Sequence, residues 1–340
     1  MKVVITGGAG FIGCNAAMRL AELGHEVVIF DNLSRPGSER NLAWLQGQHK
    51  VLFVRGDVRD SSDVESFFAG HKDADAVLHL AAQVAVTTSV TDPRHDFDVN
   101  AFGTFNVLEA VRKSGGNPVF VFSSTNKVYG EMLEAQVELR DGRYRYAALP
   151  CGVGEAQPLD FHSPYGCSKG SADQYVRDYH RIYGMRTVVL RKSCIYGYRQ
   201  FGIEDQGWVA WFAIAAMQGR PITIYGDGRQ VRDLLFIDDL VNLYLAVIDR
   251  AEMAQGQVFN IGGGPAFQLS VLEALGLLER LSGKKLNLSY DDWRPGDQKV
   301  YVSDTSKARR VLGWRPTVPP EEGIERLYRW VEGNRELFGK

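Results

Sequence analysis

A glycine-rich turn, set between a β-branched run and a helical run, constrains this chain more than any other feature. Val3-Val4-Ile5 leads into Thr6-Gly7-Gly8-Ala9-Gly10-Phe11-Ile12-Gly13, which satisfies GxGxxG through Gly8, Gly10 and Gly13, and GxxGxxG through Gly7, Gly10 and Gly13. Glycines at this spacing permit a tight strand-to-helix turn and let backbone N–H groups approach a pyrophosphate at the positive end of the helix. Any close helix–strand crossing also favours glycine, so the turn takes its meaning from the next strand of the unit. Asp31 closes that apolar run, 18 residues beyond Gly13. A carboxylate there accepts hydrogen bonds from an adenosine ribose and repels a 2′-phosphate, which predicts NAD rather than NADP. Arg35 nearby acts against that preference.

The turn opens a regular alternation. Val3–Ile5, Val27–Phe30, Val51–Val54, Ala76–Leu80 and Val119–Phe122 read as buried strands, and Ile12–Leu23, Ser62–Phe68 and Ala101–Lys113 carry apolar residues at helical spacing. This is βαβ punctuation, and it predicts an α/β fold: a doubly wound parallel Rossmann sheet with helices on both faces. From about residue 130 to Ser163-Pro164 the rhythm loosens into a polar stretch, read as a long connection over the site. A helix from about Ser168 to Tyr183, a strand at Thr187–Leu190 and a further sheet strand at Val258–Ile261 resume the pattern. The expected division is an NAD-binding Rossmann domain over 1–194, joined again by about 236–265, with 195–235 and 266–340 forming a smaller C-terminal substrate-binding lobe.

Composition narrows the functional classes. With 39 basic against 41 acidic residues the chain lacks the charge footprint of a nucleic-acid binder, so nucleic acid is not an expected partner. The apolar stretch Trp208 to Met217 falls far short of a bilayer span, and the run before Gly7 is too short for a secretory leader. The expectation is a cytoplasmic protein with no membrane partner. Cys14, Cys151, Cys167 and Cys194 form no CxxC pair, so no metal is expected.

Tyr165-Gly166-Cys167-Ser168-Lys169 places a phenol and an ammonium four residues apart on one helix face, where the cation can lower the phenol's pKa. A phenolate so tuned takes a proton from a sugar hydroxyl while hydride leaves the same carbon for nicotinamide. The spacing alone is common. Its order is informative, because a strand ending in Ser123-Ser124-Thr125 precedes it and offers a hydroxyl to the same substrate oxygen.

TGGAGFIG, Ser124-Thr125-Asn126-Lys127-Val128-Tyr129-Gly130 and YGCSK lie where they do in the extended short-chain dehydrogenase/reductases that modify nucleotide sugars, and the chain resembles that family over essentially its full length. The resemblance implies a catalytic triad of Thr125, Tyr165 and Lys169. It implies a cofactor site built from Gly7, Gly10, Phe11, Ile12, Gly13, Asp31, Asn32, Ser34, Arg35, Asp57, Val58, Leu80, Ala81 and Ala82 together with Tyr165 and Lys169. Asp57 reads equally as a reader of the adenine amino group or as a turn cap. The segments Gln83–Ser89, SSTNKVYG, Leu159–Lys169, Arg199-Gln200-Phe201 and Asp205–Val209 resemble the branch that inverts C2 of a CDP-activated hexose. Arg232 and Arg294 match family positions that clamp the substrate diphosphate, and Thr88, Asn126, His162, Ser193, Arg199 and Gln206 complete the expected substrate set. His162 also reads as an ordinary loop histidine, and either arginine as a surface charge. Dehydratases of the family carry Asp-Glu directly after the catalytic Thr; here Asn126 and Lys127 stand there, which disfavours water elimination. The expected activity is therefore NAD-dependent C2 epimerisation of a nucleotide-diphosphate hexose, with C4 epimerisation as the alternative enzyme and a non-catalytic dinucleotide sensor as the alternative outside enzymes. Resemblance also implies a homodimer or homotetramer through helices near 101–113 and 168–183.

Overall fold

The structure, a computed structural model, describes residues 1–294 and 296–339. Its first half runs β1 (Lys2–Thr6), α1 (Phe11–Glu22), β2 (Glu26–Asp31), α2 (Ser38–Gln48), β3 (Leu52–Arg55), α3 (Ser61–Ala69), β4 (Ala76–His79), α4 (Val86–Thr91), α5 (Pro93–Phe97), a π turn at Asp98–Phe102, α6 (Gly103–Ser114), β5 (Val119–Thr125), β6 (Val137–Arg140), β7 (Arg143–Tyr146) and α7 (Ser163–Tyr183). There follow β8 (Thr187–Lys192), β9 (Cys194–Tyr196), α8 (Trp208–Gln218), β10 (Ile222–Tyr225), β11 (Val231–Phe236), α9 (Ile237–Asp249), α10 (Ala251–Ala254), β12 (Val258–Ile261), β13 (Gln268–Ser270), α11 (Val271–Ser282), β14 (Leu288–Asp291), β15 (Val300–Tyr301), α12 (Ser306–Leu312) and α13 (Pro320–Gly333).

The main sheet has the order β12-β8-β5-β4-β1-β2-β3, and every pairing in it is parallel. Both faces are covered, so its strands are continuous apolar runs rather than alternating ones. Val3, Ile5, Ile29, Leu78, Val121 and Leu190 point to one face, where α1, α9 and the C-terminal helices α8, α11 and α13 join a single core. Val4, Val28, Phe30, Phe120, Phe122 and Val189 point to the other, against α3, α6 and α7. The fold class read from the sequence is the one found, with β12 in the sheet as expected.

The smaller lobe is built around β11, which pairs antiparallel with β13 and parallel with β15 and β9, while β10 pairs with β14. One expectation changes here. The 130–162 connection does not line the site. It carries the β6–β7 hairpin and is stitched to the lobe through Tyr144 N to Arg229 O at 3.1 Å, Tyr146 Oη to Val300 O at 2.9 Å and Val153 N to Val302 O at 2.7 Å. Its polarity is that of a strand pair with one face in solvent.

Candidate active site

The sheet order reverses beside β1: the chain winds outward through β2 and β3, then returns to place β4 on the other side. Open α/β sheets bind ligands in the crevice this reversal leaves at the strands' carboxyl ends. A cleft of about 490 Å³ lies there, and Gly7, Gly10, Phe11, Ile12, Gly13, Asp31, Asn32, Ser34, Arg35, Asp57, Val58, Leu80, Ala81 and Ala82 all line it. The glycines are required sterically. A Cβ on Gly7, which stands at φ +70°, would come 2.6 Å from Ala81 N, and one on Gly13 would come 2.3 Å from Gly7 O. Gly10 caps α1 without a side-chain acceptor, leaving the first-turn amides available to an anion. Asp31 accepts from Ala9 N at 3.0 Å and Leu33 N at 2.8 Å, and burial nonetheless raises its pKa. A buried carboxylate of this kind gains from two ribose hydroxyl donors. Asp57 accepts from Asn32 Nδ2 at 2.8 Å, and Arg59 above all holds its carboxyl down to about 2. It also accepts from Arg59 N, so it braces a turn while facing the cleft. These groups fit a dinucleotide.

At the far end of the same cleft Thr125 ends β5, and Tyr165 and Lys169 stand one turn apart on α7. Ser89 Oγ accepts from Tyr165 N at 3.1 Å, supplying from α4 a partner for a first-turn amide that the His162 N-cap leaves uncapped. The helix is locked to the sheet by Asp173, which accepts from Arg191 Nε and Nη2, both at 2.9 Å, and from Ser124 Oγ at 2.8 Å. Thr125 stands close enough to Tyr165 to lower its pKa, though burial outweighs that effect. The expected tuning of the phenol is absent, however. Burial pushes Tyr165 up to about 12 and pushes Lys169 down to about 7. The shared helix face does bring the residues together, but the Lys169 ammonium lies over the Phe122 ring at 4.2 Å, in the field of Asp96 and Asp173.

A second cavity of about 600 Å³ opens beyond this end, between the sheet and the smaller lobe. Thr125, Tyr165, Ser193 and Gln206 border both cavities. Asn126, Lys127, Arg232 and Arg294 line the second. Arg232 pairs with Asp297 at 2.6 Å, and Arg294 pairs with Asp205 at 3.0 Å while stacking on Tyr225 at 3.7 Å. Lys127 donates to Gly296 O at 3.2 Å and is lowered by burial to about 8. Thr88 lines the first cleft.

Two residues of the expected substrate set lie elsewhere. Arg199 stacks its guanidinium on Trp44 at 4.0 Å and faces Trp330 at 5.8 Å, bridging α2 and α13. An arginine plane satisfies two indoles better than it would serve an open cavity. His162 sits half exposed between Asp160 at 2.9 Å and Glu131 at 3.4 Å, outside both cavities. Conversely, Lys192 was not anticipated: it lines the cofactor cleft from the end of β8, two residues past the strand end read from the sequence. Farther along α7, Tyr179 is buried and donates to Glu109 at 2.8 Å, while Tyr175 and Tyr183 face solvent.

Fold and site together define a Rossmann-type enzyme whose dinucleotide cleft abuts a second cavity carrying arginines. The chain belongs to the NAD dependent epimerase/dehydratase family, whose pattern matches residues 3–262. It is similar to the CDP-paratose 2-epimerase of Salmonella typhi, 43% identical over 336 residues, covering 97% of this chain and 99% of that protein. It is 33% identical to a putative UDP-glucose 4-epimerase of Methanocaldococcus jannaschii over 98% of this chain and 99% of that one. Among solved structures, UDP-glucose 4-epimerase of Thermus thermophilus in complex with NAD superposes with a TM-score of 0.84 at 33% identity, covering 98% of this chain and all of that one. NAD is accordingly the cofactor, and the chain is a nucleotide-sugar enzyme of the isomerase class.

Proposed function

We propose that the protein inverts C2 of a CDP-activated hexose, converting CDP-paratose to CDP-tyvelose or acting on a close CDP- or GDP-hexose analogue. The observation that carries this reading is the shared wall: the Thr125–Tyr165 pair faces the dinucleotide cleft on one side and the arginine-lined cavity on the other. Full-length similarity to a CDP-paratose 2-epimerase supports the choice of carbon and base.

A ketone at C4 acidifies C3 and C5 but not C2, and a 3-deoxy sugar has no C3 hydroxyl to oxidise, so inversion at C2 requires oxidation at C2 itself. The Gly7–Gly13 turn and Asp31 would hold NAD, which would supply the acceptor and donor for the C2 hydride. Thr125 holds the C2 oxygen, and Tyr165, a phenol at rest, passes its own proton toward Lys169 as it takes the C2 hydroxyl proton, the exchange reversing on the return transfer. Lys169, with a pKa of about 7, holds or releases a proton near neutrality behind that pair. Arg232 and Arg294 anchor the diphosphate by charge-assisted hydrogen bonds while the sugar ring turns over between the two transfers. Asn126 and Lys127 put no carboxylate where elimination would need one. The reading includes a cytoplasmic setting, supported by four free cysteines, and the division of the chain into a cofactor part and the smaller lobe. It also includes a homodimer or homotetramer through α6 and α7, which expose Phe105, Tyr175, Ile182 and Tyr183.

The test is a panel of CDP-, GDP- and UDP-hexoses carrying deuterium at C2, with products resolved by configuration. Inversion of a CDP-hexose with deuterium kept at C2 is the expected result. Inversion at C4 alone refutes it in favour of the 4-epimerase reading, and no turnover of any nucleotide hexose would indicate a dinucleotide sensor.

A further inference from the structure

Lys192 is a buried lysine in the cofactor cleft that the proposed mechanism leaves unused. Its position derives from the sheet. In the parallel β5–β8 register Lys192 pairs with Thr125, and Thr125 and Lys192 both fall on the side of the sheet opposite Ser124 and Arg191, whose side chains meet Asp173 on α7. Strand alternation therefore aims Lys192 at the same end of the cleft as Thr125.

The groups around it are cationic or neutral. Thr125 comes from β5, Tyr165 and Lys169 come from α7, and Ser193 is its neighbour in the chain. Ser193 Oγ is itself engaged by Asp233. Among the described residues, the charge acting on Lys192 is Lys169, which repels it. A buried ammonium without a counter-ion is costly unless the site uses its charge. The glycine turn marks the pyrophosphate and Asp31 the adenosine ribose, so a dinucleotide lying along this cleft leaves its nicotinamide half for the end that Thr125, Tyr165, Lys169 and Lys192 enclose.

We propose that Lys192 sets the redox poise of the bound coenzyme, its unpaired ammonium disfavouring cationic NAD⁺ relative to NADH and so drawing hydride from the sugar. The electron balance is that of the proposed reaction: the C–H pair leaves as hydride to the coenzyme, the hydroxyl proton goes to Tyr165, and the carbon is oxidised by two electrons. Lys192 takes no part in these bonds. It changes the free energy between their two sides through charge alone, and a unit charge a few ångströms away in a protein interior moves such an equilibrium by about tenfold or more. The inference rests on NAD use and not on the choice of C2, so its test contains no sugar and its failure leaves the epimerase reading standing.

Holoenzyme is equilibrated anaerobically with dye couples of graded potential, on the acid side of pH 7 where Lys192, lowered to about 7, keeps its proton. The oxidised-to-reduced ratio of bound coenzyme is read from the near-ultraviolet absorbance of dihydronicotinamide. The wild-type bound couple is expected above free NAD⁺/NADH. Lys192→Met and Lys192→Gln are expected to move the ratio about tenfold or more toward NAD⁺, about 30 mV for this two-electron couple, and Lys192→Arg to stay with the wild type. A wild-type couple at or below the free one overturns the proposal, whether or not the neutral variants fold with coenzyme. So does a neutral variant indistinguishable from wild type, or an arginine variant shifted as far as the methionine one, which would trace the effect to packing.

Discussion

Replacing Arg191 by Met tests how the helix carrying Tyr165 and Lys169 is held. In the wild type the Arg191 guanidinium and the Asp173 carboxylate are 2% and 0% exposed, and two N–H···O bonds of 2.9 Å join them. Arg191→Met leaves that carboxylate buried without its cation, with the neutral Ser124 Oγ at 2.8 Å and Gln174 Nε2 at 2.9 Å as its remaining close donors. Breaking a buried pair from one side costs about 3–5 kcal/mol, because the stranded charge has lost its water as well as its partner. Asp173→Leu should cost a similar amount, for the same reason applied to the guanidinium. The double variant strands neither charge. It loses hydrogen bonds from Ser124 and Gln174 and to Tyr129, whose hydroxyl keeps Asn260 at 2.7 Å, so its cost should be about 1–2 kcal/mol. The assay is urea unfolding monitored by tryptophan fluorescence, with a coupling energy taken from the four proteins. Additive single losses, or an Arg191→Met protein within about 1 kcal/mol of wild type, would refute the account of α7 as pinned by a buried ion pair.

The same geometry sets other outcomes. Gly13→Ala drives a Cβ into Gly7 O and Gly8, so the purified protein should retain little NAD while remaining folded, as read by absorbance after denaturation. Tyr165→Phe should keep its NAD but lose about a hundred- to ten-thousandfold in epimerisation, and an undiminished rate would remove Tyr165 from its proposed role. Stability should rise with pH above neutrality. Lys127, Lys169 and Lys192 sit at about 8, 7 and 7 rather than 10.5, so the unfolded chain binds protons that the folded one has released, and the advantage is lost as pH falls through those folded values. Cys14 and Cys194, moved from 9.0 to about 12 by burial, reverse the trend only above pH 9. The urea midpoint should therefore climb between pH 7 and 9, and Lys192→Met should flatten that climb; a fall over the interval would contradict the burial of these lysines.

The sheet was legible because its cause is local: a strand buried on both faces must be apolar throughout, and Val3–Ile5 or Val119–Phe122 can be nothing else in this context. The dinucleotide cleft was legible for a related reason, since its glycines and Asp31 lie within one βαβ unit. What escaped was long-range. Helix α2 buries little more than Leu42 and Leu45 on its apolar side, too thin a stripe to announce itself. The β6–β7 hairpin has no buried residue and is held by partners near 229 and 300. Arg199 looks like a ligand-binding arginine until α2 and α13 bring Trp44 and Trp330 against it. Lys192 acquires meaning only from the register that sets it beside Thr125.

The segment just past β9 ties much of this together. Tyr198 O accepts from Asn15 on α1, Arg199 O accepts from Asn41 on α2, Gly37 packs so closely under the Phe201 ring that no side chain would fit, and Gln206 is bonded to Arg35. A few residues later the same backbone, at Gly207 and Trp208, walls the arginine-bearing cavity. A ligand that steadies Arg35 thereby steadies one wall of the arginine-bearing cavity. Under the proposed function, occupancy of either compartment then alters affinity in the other by an equal factor.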